Sequence, residues 1–287
     1  MADNDTQPAR KPGLPLGGLL IAPILDVVGR KVMTALDQIG GLFYLLADSM
    51  TWIWRGATRR KVRIGKAAVV SQIVRVGVRS IFIVSLVSGV VGLILALQLA
   101  PPLDEFGQRP LIANIIGVAV LRELGPLIGA IVLTGFAGAS IAAEIGTMVV
   151  SEEIEALEAH ALNPIRFLVV PRVLASILSM TALGVIASGM AILCAMLISV
   201  TVLEIPYATF TSNLVDQVKF SDFFSGFIKG GVFGMLIGLI ACYNGLAVSG
   251  GAAGVGNATT NTVVQSVVAI IFADLVFTAA FFALGLV

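Results

Sequence analysis

Hydrophobic and polar positions divide the chain into an amphipathic N-terminal stretch and five long apolar stretches. In the first stretch, apolar residues recur in steps of three and four while charged residues fall off that line, which predicts an amphipathic helix of about seven turns. The apolar line is Val28, Val32, Leu36, Ile39, Phe43, Leu46, Met50 and Ile53. Trp52 and Trp54 precede a basic run at 55–66, so we expect this helix to lie on the cytoplasmic membrane surface. A membrane span is the alternative, which the charges recurring inside the window disfavour.

Each of the five later stretches has the length of a membrane helix, about 20 residues for ~30 Å of hydrocarbon. They cover residues 80–99, 111–135, 173–202, 223–246 and 263–287. The second stays apolar to Val150, so we expect it to extend into the cytoplasm or to kink near Gly125-Pro126. The third is also long, and a hairpin there would change the number of crossings. The sequence has no internal repeat, which argues against the inverted-repeat plan of many secondary transporters.

Composition excludes an ordinary soluble domain, because 57% of the residues are hydrophobic, 12% are charged and the mean hydropathy is +1.01. We therefore expect an all-α integral membrane protein. Most of the 18 Lys and Arg residues occur at or before Arg79, which assigns that end to the cytoplasm by the positive-inside rule. The predicted segments are a disordered tail at 1–25, an interfacial helix and basic segment at 26–79, and a transmembrane domain at 80–287.

Four charged residues fall inside the apolar stretches. Arg122 and Glu123 lie about 11 residues into the second stretch, Asp274 about 11 into the fifth, and Lys229 about seven into the fourth, beside a row of glycines. A charge at the bilayer centre costs roughly 2.5–3.5 kcal/mol, so such residues face a cavity or one another. For Arg122, Glu123 and Asp274, two interpretations stay open, an internal salt bridge and a polar lining for an anionic lipid headgroup. Lys229 either extends to the membrane interface or points into the same cavity as Arg122. In either case, we expect Arg122 and Asp274 to be neighbours or to share one cavity.

Residues 151–163 predict a short cytoplasmic helix, with Ser151 as its cap and Asn163-Pro164 as its end. One face is apolar and the other acidic. This segment is either a solvated loop helix or a docking site for a cytosolic partner. The candidate docking residues are Glu152, Glu153, Ile154, Glu155, Leu157, Glu158 and Leu162.

Other signals point away from catalysis. The glycine-rich run at 250–260 has no Lys after its glycines and follows a membrane stretch, so it does not match a phosphate-binding loop. His160 has no Cys or His at ligand spacing, so we expect no metal site. Cys194 and Cys242 lie in apolar runs and predict no disulfide. We therefore expect neither an enzyme nor a bound cofactor.

Several motifs together resemble one family. The second stretch carries R-E-L-G-P at 122–126 and A-A-E-I-G-T-M at 142–148, followed by E-E-I-E-A-L-E at 152–158 and by V-P-R at 170–172. Later come a lysine before F-G at 229–234, a glycine-rich run ending in A-T-T at 260, and D-L-V-F-T at 274–278. These motifs resemble the MlaE-type permeases of lipid-moving ABC transporters that work with MCE proteins. The family often has A-G-R-x-G where this chain has T-G-F-A-G at 134–138.

The resemblance implies a homodimeric permease in the bacterial inner membrane. It further implies separate ATPase subunits that bind ATP and dock through residues 152–162, and a periplasmic MCE-domain partner. The complex would move phospholipids or related lipids between the inner and outer membranes and so maintain outer-membrane asymmetry.

The main rival is an ion-coupled secondary transporter with Glu123 and Asp274 as proton carriers. A third possibility is a membrane scaffold without transport. The lack of repeats and the acidic docking segment disfavour the secondary transporter.

Overall fold

The computed structural model of the chain describes residues 16–58 and 65–285, and within them the secondary structure is helical. The helices are α1 (Leu16–Thr58), α2 (Lys66–Val76), α3 (Ile81–Glu105), α4 (Ile112–Ala119), α5 (Gly125–Leu133), α6 (Ala139–Val150), α7 (Glu153–Ala159), α8 (Val170–Thr201), α9 (Tyr207–Gln217), α10 (Phe220–Leu246) and α11 (Gly251–Ala283). The chain forms two units, residues 1–44 and 45–287.

Helix α1 begins at Leu16, so residues 16–25, which the sequence predicted as part of a disordered tail, are helical. The apolar side chains of its predicted line are largely exposed, with Leu36, Ile39 and Phe43 more than half accessible. Its placement on a membrane surface stays a prediction. Most of the tail, at 1–15, and most of the basic run, at 59–64, lie outside the described residues.

Five helical runs within the described residues are long and apolar enough to cross a membrane, which confirms the predicted number. We call them spans 1 to 5: Lys66–Glu105, Arg109–Val150, Ile165–Thr201, Phe220–Leu246 and Gly251–Ala283. Span 3 is one continuous run rather than a hairpin. All five spans begin before the predicted stretches because polar residues at their ends, such as Lys66 and Asp222, still take part in helical turns.

Span 2 is continuous but irregular, because it widens into π-helical turns at Val120–Leu124 and Thr134–Gly138. Pro126 follows the first of these turns and cannot donate a backbone hydrogen bond, so a locally wider helix accommodates it. The sequence predicted an irregularity near this proline. Arg122 and Glu123 belong to the widened turn itself, which sets the directions of both side chains.

The glycine row of α10 packs tightly, as its spacing predicted. A Cβ atom added at Gly226 would lie 2.1 Å from the carbonyl oxygen of Leu121, and one added at Gly234 would lie 2.4 Å from the carbonyl oxygen of Ser176. Both distances are far below van der Waals contact. Gly226 therefore brings α10 against the widened turn of span 2, while Gly234 brings it against α8.

The connection between spans 3 and 4, which lies between two predicted apolar stretches, contains the helix α9. Helix α9 packs on α4, and its Phe210 is buried in one cluster with Ile112 and Ile116. Asn213 Nδ2 also donates a hydrogen bond to the carbonyl oxygen of Pro110, at 2.9 Å. Phe210 and Leu214 are four residues apart and share one helix face. This cluster packs the connection between spans 3 and 4 against the start of span 2.

Candidate functional site

Lys229 of α10 is the centre of a charged cluster inside the bundle. Its side chain is fully buried, and its Nζ atom lies 2.6 Å from Glu123 Oε1, 2.9 Å from Asp274 Oδ1 and 3.0 Å from Thr278 Oγ1. The Thr278 hydroxyl donates to Glu123 Oε1 at 2.8 Å. The ammonium thus has one hydrogen-bond partner, Thr278, and two ion-pair partners, Glu123 and Asp274. These contacts agree with an internal salt bridge, in which Lys229 is the buried centre.

The depth of this cluster follows from the helix bounds. Lys229 lies nine residues after Phe220, where α10 begins, and Asp274 lies nine residues before Ala283, where α11 ends. At 1.5 Å per residue, both are about 14 Å from those helix ends, roughly half of a ~30 Å hydrocarbon layer. The two side chains can therefore meet near mid-membrane.

Arg122 has a different partner from the one that the sequence predicted. Its Nε atom donates to Asp222 Oδ1 at 2.6 Å, and Asp222, only 1% exposed, also accepts the backbone N–H of Lys219 at 2.9 Å. The structure therefore does not pair Arg122 directly with Asp274, which contacts Lys229 instead. Arg122 and Glu123 are consecutive on the widened turn, so their side chains diverge. Arg122 pairs with Asp222 in the first turn of α10, and Glu123 pairs with Lys229 deeper in the bundle.

A cavity of about 530 Å³ opens between spans 2, 4 and 5, next to these ion pairs. Its lining residues are Asn114, Ile115, Val118, Ala119, Arg122, Glu123, Gln217, Ser221, Phe224, Ser225, Ile228, Thr278 and Phe281. Two of the four predicted cavity residues, Arg122 and Glu123, are its charged members. Lys229 and Asp274 do not line it: Lys229 contacts Glu123 from inside the bundle, and Asp274 contacts Lys229. Any role of these four residues toward a substrate stays a prediction.

A second charged cluster, which the sequence analysis missed, joins spans 1, 2 and 3. Glu144 lies 2.5 Å from Arg75 Nη1 and 3.1 Å from Arg172 Nη2. Arg172 is 5% exposed and also donates to the carbonyl oxygen of Leu168 at 2.9 Å. Glu144 belongs to the A-A-E motif and Arg172 to the V-P-R motif, so two separate motifs meet in one contact.

Beside Glu144 lies a small pocket of about 110 Å³, whose lining includes Arg75, Arg79, Ser140 and Phe136. Phe136 stands where the resembling family often has an arginine. Its aromatic ring therefore occupies a pocket wall that already carries two guanidinium groups.

The predicted docking segment is folded differently from its prediction. Helix α7 covers only Glu153–Ala159, and Glu152 before it has a left-handed backbone with φ 59°. Ser151 does not cap α7, because its hydroxyl donates at 2.9 Å to the carbonyl oxygen of Thr147 at the end of α6. The cap was predicted from residue type alone, and the left-handed residue between the two helices turns Ser151 toward the earlier one.

The two faces of the segment differ in exposure. All four of its glutamates are exposed: Glu152, Glu153, Glu155 and Glu158. Ile154 and Leu157 are half-buried, whereas Leu162 is 37% exposed. The outward surface is therefore acidic with one accessible leucine, and most of the predicted apolar line packs toward the protein.

An aromatic contact links the end of α1 to the start of span 3. The guanidinium groups of Arg55 and Arg166 lie 5.5 and 5.6 Å from the ring centre of Trp52, within the range of cation–π attraction. Arg166 follows the docking segment in the chain, so Trp52 connects that region to the N-terminal helix.

Two site residues carried local signals that could have identified them. Thr278 is four residues after Asp274 and shares its helix face. Asp222 is three residues after Lys219, the spacing at which an acidic side chain closes the first turn of a helix. Arg75 and Glu144 carried no comparable signal, since their contact joins distant parts of the chain.

The chain matches the family described as Permease MlaE over residues 69–280. This range contains both charged clusters, α7 and every lining residue of the larger cavity except Phe281. The chain belongs to the MlaE permease family. It is a multi-pass membrane protein of that family, and the motifs quoted above all lie within the matched range.

Relatives extend the MlaE match to nearly the whole chain. A Rickettsia bellii protein named as a probable ABC transporter permease is 35% identical over 263 residues, covering 92% of this chain and 99% of that protein. The Haemophilus influenzae intermembrane phospholipid transport system permease protein MlaE is 29% identical over 267 residues, covering 93% and 100%. The Arabidopsis thaliana chloroplast protein TRIGALACTOSYLDIACYLGLYCEROL 1 is 34% identical over 242 residues, covering 80% and 69%.

Proposed function

We propose that this chain is the transmembrane permease subunit of an ABC transporter that moves phospholipids between the inner and outer membranes of a bacterium and so maintains outer-membrane asymmetry. The MlaE family match and the phospholipid transport named for the Haemophilus relative support this function. The observation that carries it is the cavity of about 530 Å³, which combines two charged residues with an otherwise mostly apolar wall. Such a wall suits a molecule with a charged head and hydrocarbon chains.

Arg122 is the residue that we assign to the lipid phosphate. Asp222 holds its Nε atom at 2.6 Å, whereas its two terminal nitrogens have no hydrogen-bond partner among the described residues, and Arg122 lines the cavity. A guanidinium is planar and offers parallel N–H donors to phosphate oxygens. Asp222 therefore orients the group and leaves its outer edge for the headgroup.

Lys229 and Asp274 take a positioning role in this proposal instead of the predicted lining role. Lys229 contacts Glu123, Asp274 contacts Lys229, and neither residue lines the cavity. Their charges fix the carboxylate of Glu123 at the wall. This role accounts for charges that would otherwise be costly inside a membrane.

The remaining parts of the transporter lie in other subunits. We assign ATP binding and hydrolysis to a cytoplasmic ATPase partner that docks on the acidic surface of the 152–162 segment and on Leu162, and this chain supplies no catalytic group or cofactor. A homodimer in the inner membrane, joined to a periplasmic MCE-domain protein, completes the assembly. The proton-carrier alternative is not favoured, because the family match points to ABC permeases and both of its acids already contact Lys229.

The test replaces Arg122 by lysine in the reconstituted permease–ATPase complex. Arg122→Lys keeps the charge that balances buried Asp222 but loses the planar pair of donors, so we expect assembly to persist and ATP-dependent transfer of a fluorescent phospholipid to fall about tenfold. Arg109→Lys is the matched control, because Arg109 pairs with Asp104 in an exposed contact away from the cavity. Unchanged transfer by the Arg122 variant would contradict the assignment.

A further inference from the structure

We infer that the cavity prefers phospholipids whose headgroup carries an ammonium group, and that Glu123 is the residue that contacts this ammonium. The inference rests on the proposed lipid-transport function and names its substrate class more narrowly. It replaces the expectation of a purely anionic headgroup.

The argument begins with the charge balance of the inner cluster. Glu123 and Asp274 supply two carboxylates, and Lys229 supplies one ammonium within 3.0 Å of both. The second ion pair, between Arg122 and Asp222, is neutral by itself. The inner cluster therefore holds two carboxyl groups for one ammonium, so one carboxyl group has no cation of its own near mid-membrane, where an unpaired carboxylate is costly. A cation that enters the cavity would remove this cost.

The excess charge is accessible only through Glu123. Its side chain is 34% exposed and lines the cavity, whereas Asp274 is 16% exposed and does not line it. Glu123 Oε1 is occupied by Lys229 and Thr278. Its Oε2 has no hydrogen-bond partner among the described residues. One carboxylate oxygen is thus available at the wall, held in place through the other oxygen.

The neighbouring Arg122 specifies what kind of cation fits. Its terminal nitrogens and the free carboxylate oxygen of Glu123 belong to consecutive residues on one wall. A headgroup in which a short carbon chain joins a phosphate to an ammonium presents the complementary pair of charges. A headgroup with phosphate alone would satisfy Arg122 but would bring a second negative charge toward Glu123, which complementarity disfavours.

The experiment measures which lipids the permease retains. The full-length chain is reconstituted with its ATPase in vesicles of equal phosphatidylethanolamine and phosphatidylglycerol, then extracted, and its bound lipids are quantified by mass spectrometry. We expect wild type to enrich phosphatidylethanolamine about three- to fivefold over the vesicle ratio, the range for a partly exposed ionic contact. Glu123→Gln should return the ratio to that of the vesicles. Gln keeps a carbonyl oxygen for the Thr278 hydroxyl, so this variant should fold.

Two further variants separate contact from overall charge. Asp274→Asn removes an acid from the same cluster but leaves the carboxylate of Glu123 at the wall, so it should lower the enrichment less than Glu123→Gln does. Asp216→Asn removes an exposed acid next to Gln217 of the cavity and should leave the enrichment unchanged. Equal loss in the Glu123 and Asp274 variants would overturn the contact assignment. Wild type that retains lipid at the vesicle ratio would overturn the preference alone, whereas wild type that neither retains nor transfers lipid would overturn the proposed function as well.

Discussion

The two charged clusters of the bundle use the same kinds of side chain in opposite arrangements. Near mid-membrane, a fully buried Lys229 lies between two carboxylates, and the group is negative overall. At the other end of span 2, Glu144 lies between Arg75 and Arg172, and the group is positive overall. The first borders a cavity of about 530 Å³ and the second a pocket of about 110 Å³. Each cluster thus joins three spans, but only the first borders the larger cavity.

The clearest test of this comparison removes one cationic residue from each cluster. We expect the larger loss of stability at Lys229. Lys229→Met leaves Glu123 and Asp274 close together without a cation, which we expect to destabilise the fold by about 3–5 kcal/mol. Thermal unfolding in detergent measures the loss. Adding Asp274→Asn to Lys229→Met should recover part of it, because the double variant has one acid fewer. Lys219→Met, at the exposed start of α10, is the control. If Lys229→Met unfolded at the wild-type temperature, the cluster would have no structural role.

The second cluster should tolerate a comparable loss better. In Arg172→Met, Glu144 keeps Arg75, so we expect a smaller destabilisation of about 1–3 kcal/mol, from the lost contact and the lost hydrogen bond to Leu168. Folded Arg172→Met protein should keep the lipid preference of wild type, since Arg172 is remote from the cavity lining. A change of bound-lipid ratio in this variant would show that the two clusters are not independent.

The smallest effect concerns the surface beyond the second cluster. Leu162 is the accessible leucine of the 152–162 segment, so Leu162→Asp should weaken retention of the ATPase subunit about tenfold without unfolding the permease. Leu157→Asp is a less specific change, because Leu157 is half-buried. Copurification measures retention of the ATPase subunit. The control is Phe106→Asp, because Phe106 is 77% exposed and directly follows the last residue of span 1, Glu105. Equal retention by the Leu162 variant and wild type would argue against docking at this segment.

Sequence reasoning predicted the elements of this fold better than the partners within it. Length and apolar composition identify five spans because each follows from a local run of residues. The partner of Arg122 could not be predicted in the same way, since Asp222 was assigned to a loop. Polar residues lower the hydropathy of a first turn, although an acidic residue there favours a helix. Placing the start of α10 three residues earlier would have brought Asp222 into consideration.

The same limit applied to the candidate site, which was predicted only in part. Burial cost indicated that Arg122, Glu123, Lys229 and Asp274 needed partners or a cavity, and the structure pairs all four. Which of them face the cavity depends on the widened turn of span 2, and no periodic pattern in the sequence encodes such a turn. The contact of Arg75 with Glu144 likewise depends on how spans 1 and 2 are packed.

The two π-helical turns of span 2 have a consequence for changes in chain length. Glu123 and Glu144 belong to one continuous helical run, with one wide turn at each end of Gly125–Leu133. Each residue rotates a helix by about 100°, so the number of residues between the two glutamates sets the angle between their side chains about the axis. Deleting a single residue there would turn one cluster away from its partners while leaving the other in register. An insertion or a deletion in this stretch should therefore be more disruptive than a replacement that keeps the number of residues.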